Sequence, residues 1–204
     1  MSTTPTRNRR RPALIGAGAI GTLGLALAMS GSLSAFAASI TNDTNTGGVG
    51  SLTMQESGPN STGATVTCST TATQTSQTCS TINKFGGDLA MASGGSKTTT
   101  IQIANTGTMA ASSFTLAPGA CALTNTASNT GDLCSVALVT VKQDGTTVID
   151  GLTPSAIANG SYTLAPVAAR ASSSLAITFA IPASAPNTVT GQSVSQPLTW
   201  TFNA

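Results

Sequence analysis

The chain has 204 residues, of which 7% are charged and 3% aromatic, and it contains no histidine. Arg7, Arg9, Arg10 and Arg11 crowd its start; from Ala38 on, Lys84, Lys97, Lys142 and Arg170 face Asp43, Glu56, Asp88, Asp132, Asp144 and Asp150, a net charge of −2. So thin a basic supply argues against nucleic acid, because a phosphate backbone takes clustered Lys and Arg, and the missing imidazole removes any Ser-His-Asp triad, HExxH zinc helix or His general base.

The basic start runs into "PALIGAGAIGTLGLALAM", Pro12 to Met29, and then "SGSLSAFAAS". A basic region, an apolar core and a small-x-small site describe a helical signal peptide. Ala35-Phe36-Ala37 fits the A-x-A rule, which puts cleavage between Ala37 and Ala38. A retained anchor is the rival reading, since the run approaches spanning length. Its many Gly and Ala residues make it only mildly hydrophobic, however, and no basic stop-transfer cluster follows. "RRRPAL" has paired arginines without the usual twin-arginine surroundings. The expected organisation is a signal peptide over 1–37, an extended N-terminal segment over 38–49 and one β-domain over 50–204, a length that suits a single core. The mature chain is expected outside the cell or at its surface, with no membrane attachment after cleavage.

Beyond the leader, alternation at period two dominates. Leu52 and Met54 share one face, and Ala64, Val66 and Cys68 another. Ile101 and Ile103 alternate with Thr100, Gln102 and Ala104 before Asn105-Thr106-Gly107 turns the chain into a returning strand at Phe114 and Leu116. "VALVTVKQDGTTVID" reads as a hairpin with Asp144-Gly145 at a type I′ turn, where both central residues need positive φ. "TPSAIANG", Thr153 to Gly160, allows at most a turn or two of helix. "SLAITFAI" puts Leu175, Ile177, Phe179 and Ile181 on one face before Pro182. "SVSQPLTWTF" alternates Val194, Leu198, Trp200 and Phe202, with Pro197 marking an edge or a bulge. Short strands with regular turn signals predict an antiparallel β-sandwich.

Cys68, Cys79, Cys121 and Cys134 all follow the leader. An even count in an oxidising compartment reads as disulfides, and no C-x-x-C pair or His supports zinc. Three pairings are possible. Cys68–Cys79 with Cys121–Cys134 is preferred, because each closes a short Ser/Thr/Asn-rich excursion between strands. The carboxylates are isolated in sequence, without a D-x-D or E-x-x-E pair. Asp88 beside Gly86-Gly87 falls far short of a calcium shell. The N-x-S/T triplets at Asn42, Asn60 and Asn159 are what chance provides in a chain so rich in Asn, Ser and Thr. A Lys–Asn isopeptide crosslink needs a buried acid beside the lysine, and Lys97 and Lys142 fall at strand ends where exposure is ordinary. No catalytic residue, metal or cofactor is therefore expected.

Three blocks in order carry a family resemblance. "SAFAASITNDTNTGGVGSLTM" resembles the mature start of TasA/camelysin-type proteins, the exported biofilm-matrix and surface fibre proteins of Gram-positive bacteria. "KTTTIQIANTGTMAASSFTL" resembles their next block, and "LVTVKQDGTTVIDG" with "SYTLAPVAARASSSLAITFAIPASAPNTVTGQSVSQPLTWTF" their C-terminal half. The resemblance implies a jelly-roll-like sandwich that self-associates into filaments, with other matrix or surface proteins as further partners. It also implies that Ala38, Ser39, Ile40, Thr41 and Asn42, continuing to about Asn45, form a donor strand hinged at Thr46-Gly47-Gly48. That strand would enter the open sheet of the next subunit, a head-to-tail contact that propagates without closing. Two features depart from the family. The zinc-binding histidines of the peptidase-like members have no counterpart, and the four cysteines are not part of the pattern. The alternative expectation is a monomeric binding module or adhesin that uses loops such as Cys121 to Cys134. No LPxTG-type sorting signal follows the final strand, so covalent wall anchoring by that route is not expected.

Overall fold

Alternating apolar side chains need a surface on which one face of each strand is dry, and two packed sheets provide it. The computed structural model describes residues 48–125 and 129–204. The expected signal peptide, its cleavage between Ala37 and Ala38, and the donor residues Ala38, Ser39, Ile40, Thr41 and Asn42 lie outside the described residues. Gly50–Ala204 form one compact unit, an all-β sandwich of antiparallel sheets.

The strands are β1 (Met54–Pro59), β2 (Thr65–Ser69), β3 (Ser96–Asn105), β4 (Ser113–Pro118), β5 (Ala122–Asn125), β6 (Leu138–Gln143), β7 (Thr146–Leu152), β8 (Tyr162–Leu164), β9 (Ser172–Ala180), β10 (Gln192–Ser195) and β11 (Leu198–Asn203). A six-stranded sheet runs β2-β1-β3-β9-β6-β7; the facing side carries a three-stranded sheet, β11-β4-β8, and the pair β10-β5. Ile101 and Ile103 of β3, Val139 and Val141 of β6, and Leu175 and Ile177 of β9 are almost wholly buried, as are Phe114 and Leu116 of β4 and Leu164 of β8. These side chains make one core between the layers. Their intervening neighbours are largely Thr and Ser, which favour strands and tolerate water.

The expected hairpin is present between β6 and β7, with Asp144 at φ 47° and Gly145 at φ 87°. Asp144 does more than tolerate the turn, because its carboxylate accepts from the Ser173 hydroxyl and the Ser174 amide, both at 2.8 Å. The helical stretch reduces to one turn, α1 (Pro154–Ile157), with Thr153 Oγ1 accepting from Ala156 N and Pro154 at its start, where a missing N–H costs nothing.

Two features differ from the strand-by-strand expectation. The Asn105-Thr106-Gly107 turn reverses the chain, yet β4 does not pair with β3; both edges of β3 are already taken, by β1 and β9. Asn105, buried to 1% exposure, fixes this crossover: its side chain donates to the carbonyls of Met109 and Val167 and accepts from Gly107 N. The final alternating stretch is two strands rather than one. Val194 lies in β10, opposite Leu123, whereas Leu198, Trp200 and Phe202 lie in β11, opposite β4. Pro197 has no N–H to continue a ladder, and the chain changes sheet there. Gln196 pins the step by donating to the carbonyls of Gly119 and Pro154, each at 2.8 Å.

The disulfides join Cys68 to Cys79 and Cys121 to Cys134, with Cα separations of 5.9 and 6.1 Å. Two such bridges fit an oxidising environment. No helix among the described residues is long and apolar enough to cross a membrane.

Candidate functional site

Among the described residues, the layer facing the six-stranded sheet is split into the three-stranded sheet and the pair β10-β5, and a groove lies beside β11. β11 has β4 as its one sheet neighbour among the described residues. Pro197 and Asn203 turn their carbonyls toward the β4 side, accepting from Gly119 N and Ser112 N, each at 2.8 Å. Backbone direction alternates along a strand, so Thr199 and Thr201 point the same way. The N–H and C=O groups of Leu198, Trp200 and Phe202 therefore face the other edge, where no described strand pairs with β11.

The side chains of these same three residues turn inward. Phe114 is met by Phe202, edge-on at 4.8 Å between ring centroids, and by Trp200 at 6.2 Å. All three stay only half-buried, because a groove of about 970 Å³ opens between β11 and the inner face of β1. Leu52 and Met54 form its floor, and the loop closed by Cys68–Cys79 forms its outer wall.

The other strand edges are blunted in the ways that edges usually are. β8 has three residues and β5 and β10 four each. β7 is thrown out of register by irregularities opposite Val139 to Lys142. β2 is tied through Cys68 to the disulfide loop. β11, with six regular residues, carries none of these devices.

A buried ion pair stands at the groove. Glu56 occupies an inward position on β1 at 7% exposure, and Lys84 Nζ lies 2.9 Å from its Oε1. This carboxylate oxygen has no well-aligned hydrogen bond, so Lys84 compensates it mainly by charge. The pair fastens an irregular segment, residues 82–85, to the inner face. On that segment Ile82 is buried and Phe85 stacks on Phe179 with centroids 5.0 Å apart. Two further residues of the groove lining each carry a buried polar atom without a hydrogen-bond partner, the indole N–H of Trp200 and Oε1 of Gln196.

Three further carboxylates have local roles. Asp132 caps the 3-10 turn Leu133–Ser135, Asp144 holds the hairpin, and Asp88 accepts from Ala90 N in its own loop. Lys97 and Lys142 are exposed. Among the described residues no three His, Cys, Asp or Glu side chains gather into a set that could hold a metal ion. Sequence reasoning passed over Glu56 and Lys84, although a signal existed: Leu52, Met54, Glu56 and Gly58 fall on one alternating face, so Glu56 had to point where apolar residues point. Of the cysteines, Cys68 and Cys79 reach the groove, while Cys121 and Cys134 do not line it.

No protein-family model matches the chain, and comparison with the curated proteins finds no match.

Proposed function

We propose that the protein is an exported, non-enzymatic structural subunit that assembles into extracellular or cell-surface fibres. The segment from Ala38 to about Asn45 of one copy adds as a strand along β11 of the next. The observation that carries this reading is the combination at β11 of a backbone edge that no described strand pairs and a groove beneath it. Sequence likeness to TasA/camelysin-type proteins, the leader and the two disulfides support it from other directions.

Magnitudes show why the groove matters as much as the edge. Leu198, Trp200 and Phe202 offer a guest strand about six backbone hydrogen bonds, each worth about 0.5–1.5 kcal/mol net. Ordering the eight-residue arm costs about 1–2 kcal/mol per residue in backbone entropy. Hydrogen bonds alone leave that balance near zero or unfavourable. Burial of apolar surface in the groove, at about 25 cal/mol per Å², tips it toward insertion. A bare edge would attract strands weakly, whereas an edge above a groove holds one. Because donor and acceptor are different surfaces, the contact repeats head to tail and makes open filaments.

Purified protein beginning at Ala38 is expected to form filaments in negative-stain microscopy, and a chain beginning at Thr46 is expected to remain monomeric. If the Ala38 form stays monomeric at high concentration, a monomeric binding module replaces the fibre reading. Proteolysis by the purified protein that requires metal would instead make it an enzyme.

A further inference from the structure

A second cavity, of about 390 Å³, is bordered by residues 87–93, by Leu133, by the end of β9 and by the segment leading into β10. Small-molecule sites run from about 300 to 1,000 Å³, so it has room for a compact guest. Phe85, Phe179, Ile181 and Val189 line it, and the two phenyl rings stack with centroids 5.0 Å apart. No Lys or Arg reaches the lining, and Asp88 is its one carboxylate. The Gln192 side chain is committed within the fold, accepting from Leu133 N and donating to the Gly131 carbonyl. Nothing here recognises an anion. The paired rings and aliphatic neighbours suit a neutral apolar molecule that carries a ring of its own.

Residues 87–93 are strung as a strap. Gly86, Gly87 and Gly94 hold φ at 83°, 69° and 83°, a conformation that glycine adopts without steric cost. Gly86 N donates to the Asn83 carbonyl and Gly94 N to that of Ile181. Between these anchors the hydrogen bonds are local, from Ala90 N to Asp88 Oδ1 and from Gly95 N to the Ala92 carbonyl. The strap can therefore pivot at its ends without breaking a bond to the sheets. Its sequence is "DLAMAS" at Asp88 to Ser93, whereas residues 70–78 hold only Thr, Ser and Gln around a single alanine. Leu89, at 83%, is the most exposed large apolar side chain among the described residues. A lone exposed leucine needs no explanation; one on a glycine-hinged strap that lines an apolar cavity has a place to go. We propose that this cavity binds a neutral, ring-bearing apolar molecule and that residues 87–93 close over it as a lid, turning Leu89 from water onto the guest. The site is independent of strand insertion, since β11 takes no part in its lining.

The probe is N-phenylnaphthylamine, a neutral fluorophore that brightens in dry surroundings, titrated into the chain beginning at Ala38 in its monomeric range. A single equivalent is expected to bind. Leu89→Ser changes an exposed side chain and is expected to weaken binding about tenfold, the scale of burying one leucine. Thr190→Trp, also at an exposed position on the lining, adds bulk to the cavity and is expected to weaken binding about tenfold or more. Urea unfolding of both variants is expected to match that of the natural chain. Saturating probe is expected to slow chymotrypsin cleavage after Leu89 about threefold or more, because proteolysis tracks the open population. No binding, or binding as tight with Thr190→Trp as without it, which the β11 groove would give, overturns the site. Binding that Leu89→Ser leaves untouched, or that leaves cleavage after Leu89 as fast as before, overturns the lid.

Discussion

Replacing Lys84 with methionine removes the cation from beside Glu56 and leaves a carboxylate at 7% exposure with no compensating charge. At the observed 2.9 Å, the attraction is about 6 kcal/mol for an effective dielectric of 20. Burying two ions opposes it at several kcal/mol each, so the intact pair adds little net stability. Breaking it is another matter. Loss of one partner from a buried pair costs about 3–5 kcal/mol, and the 12% exposure of the Lys84 side chain puts this case near about 3 kcal/mol. Glu56→Gln leaves a long lysine stem that can swing its ammonium to water, and should cost about 1 kcal/mol. With both changes together the stranded charge is gone, and the loss should fall to about 1 kcal/mol. Urea unfolding of the four proteins closes the cycle, with an expected coupling of about 2–3 kcal/mol. If Lys84→Met costs the same whether residue 56 is Glu or Gln, the pair does not fasten residues 82–85 to the core, and the account of the buried ion pair is wrong.

Gly145→Ala probes the hairpin turn through backbone conformation alone, since nothing lies within 4 Å of the added methyl group and φ is 87°; the left-handed region should cost about 1–2 kcal/mol, seen as a Tm drop of about 3–6 °C. Asn105→Ala strips partners from Gly107 N and the carbonyls of Met109 and Val167 and should destabilise by about 2–3 kcal/mol in the same assay. Non-reducing peptide mapping should recover Cys68 with Cys79 and Cys121 with Cys134. Serine at both Cys121 and Cys134 should lower the urea stability by about 3 kcal/mol on the loop-entropy model, and more than the Cys68/Cys79 pair does, because Cys134 is buried at 5% exposure.

Local pattern made the strands readable. Ile101 and Ile103, Phe114 and Leu116, and Leu175 to Phe179 each announce a buried face by alternation, and Asp144-Gly145 announces its turn through the φ values it demands. What stayed hidden is non-local. Nothing near Pro197 says that Val194 will pair with β5 while Trp200 pairs with β4, because that choice depends on which edges other strands have already filled. Ile82 and Phe85 enter the core from an irregular segment without a period to betray them. The groove is legible only in part. Its polar lining was foreshadowed by Glu56 on an inward face, but the opening follows from the split of the facing layer into two sheets, which no short window of sequence contains.

The central claim is that β11 receives the N-terminal arm of another copy, and photocrosslinking from β11 tests it most directly. A photoreactive residue in place of Thr201, which is exposed on that strand, would be activated in filaments assembled from a mixture of light and heavy isotope-labelled protein. The account predicts mixed-isotope crosslinks to peptides from Ala38 to Asn45. Crosslinks confined to one copy, or joining Thr201 to some other strand of a neighbour, would contradict it.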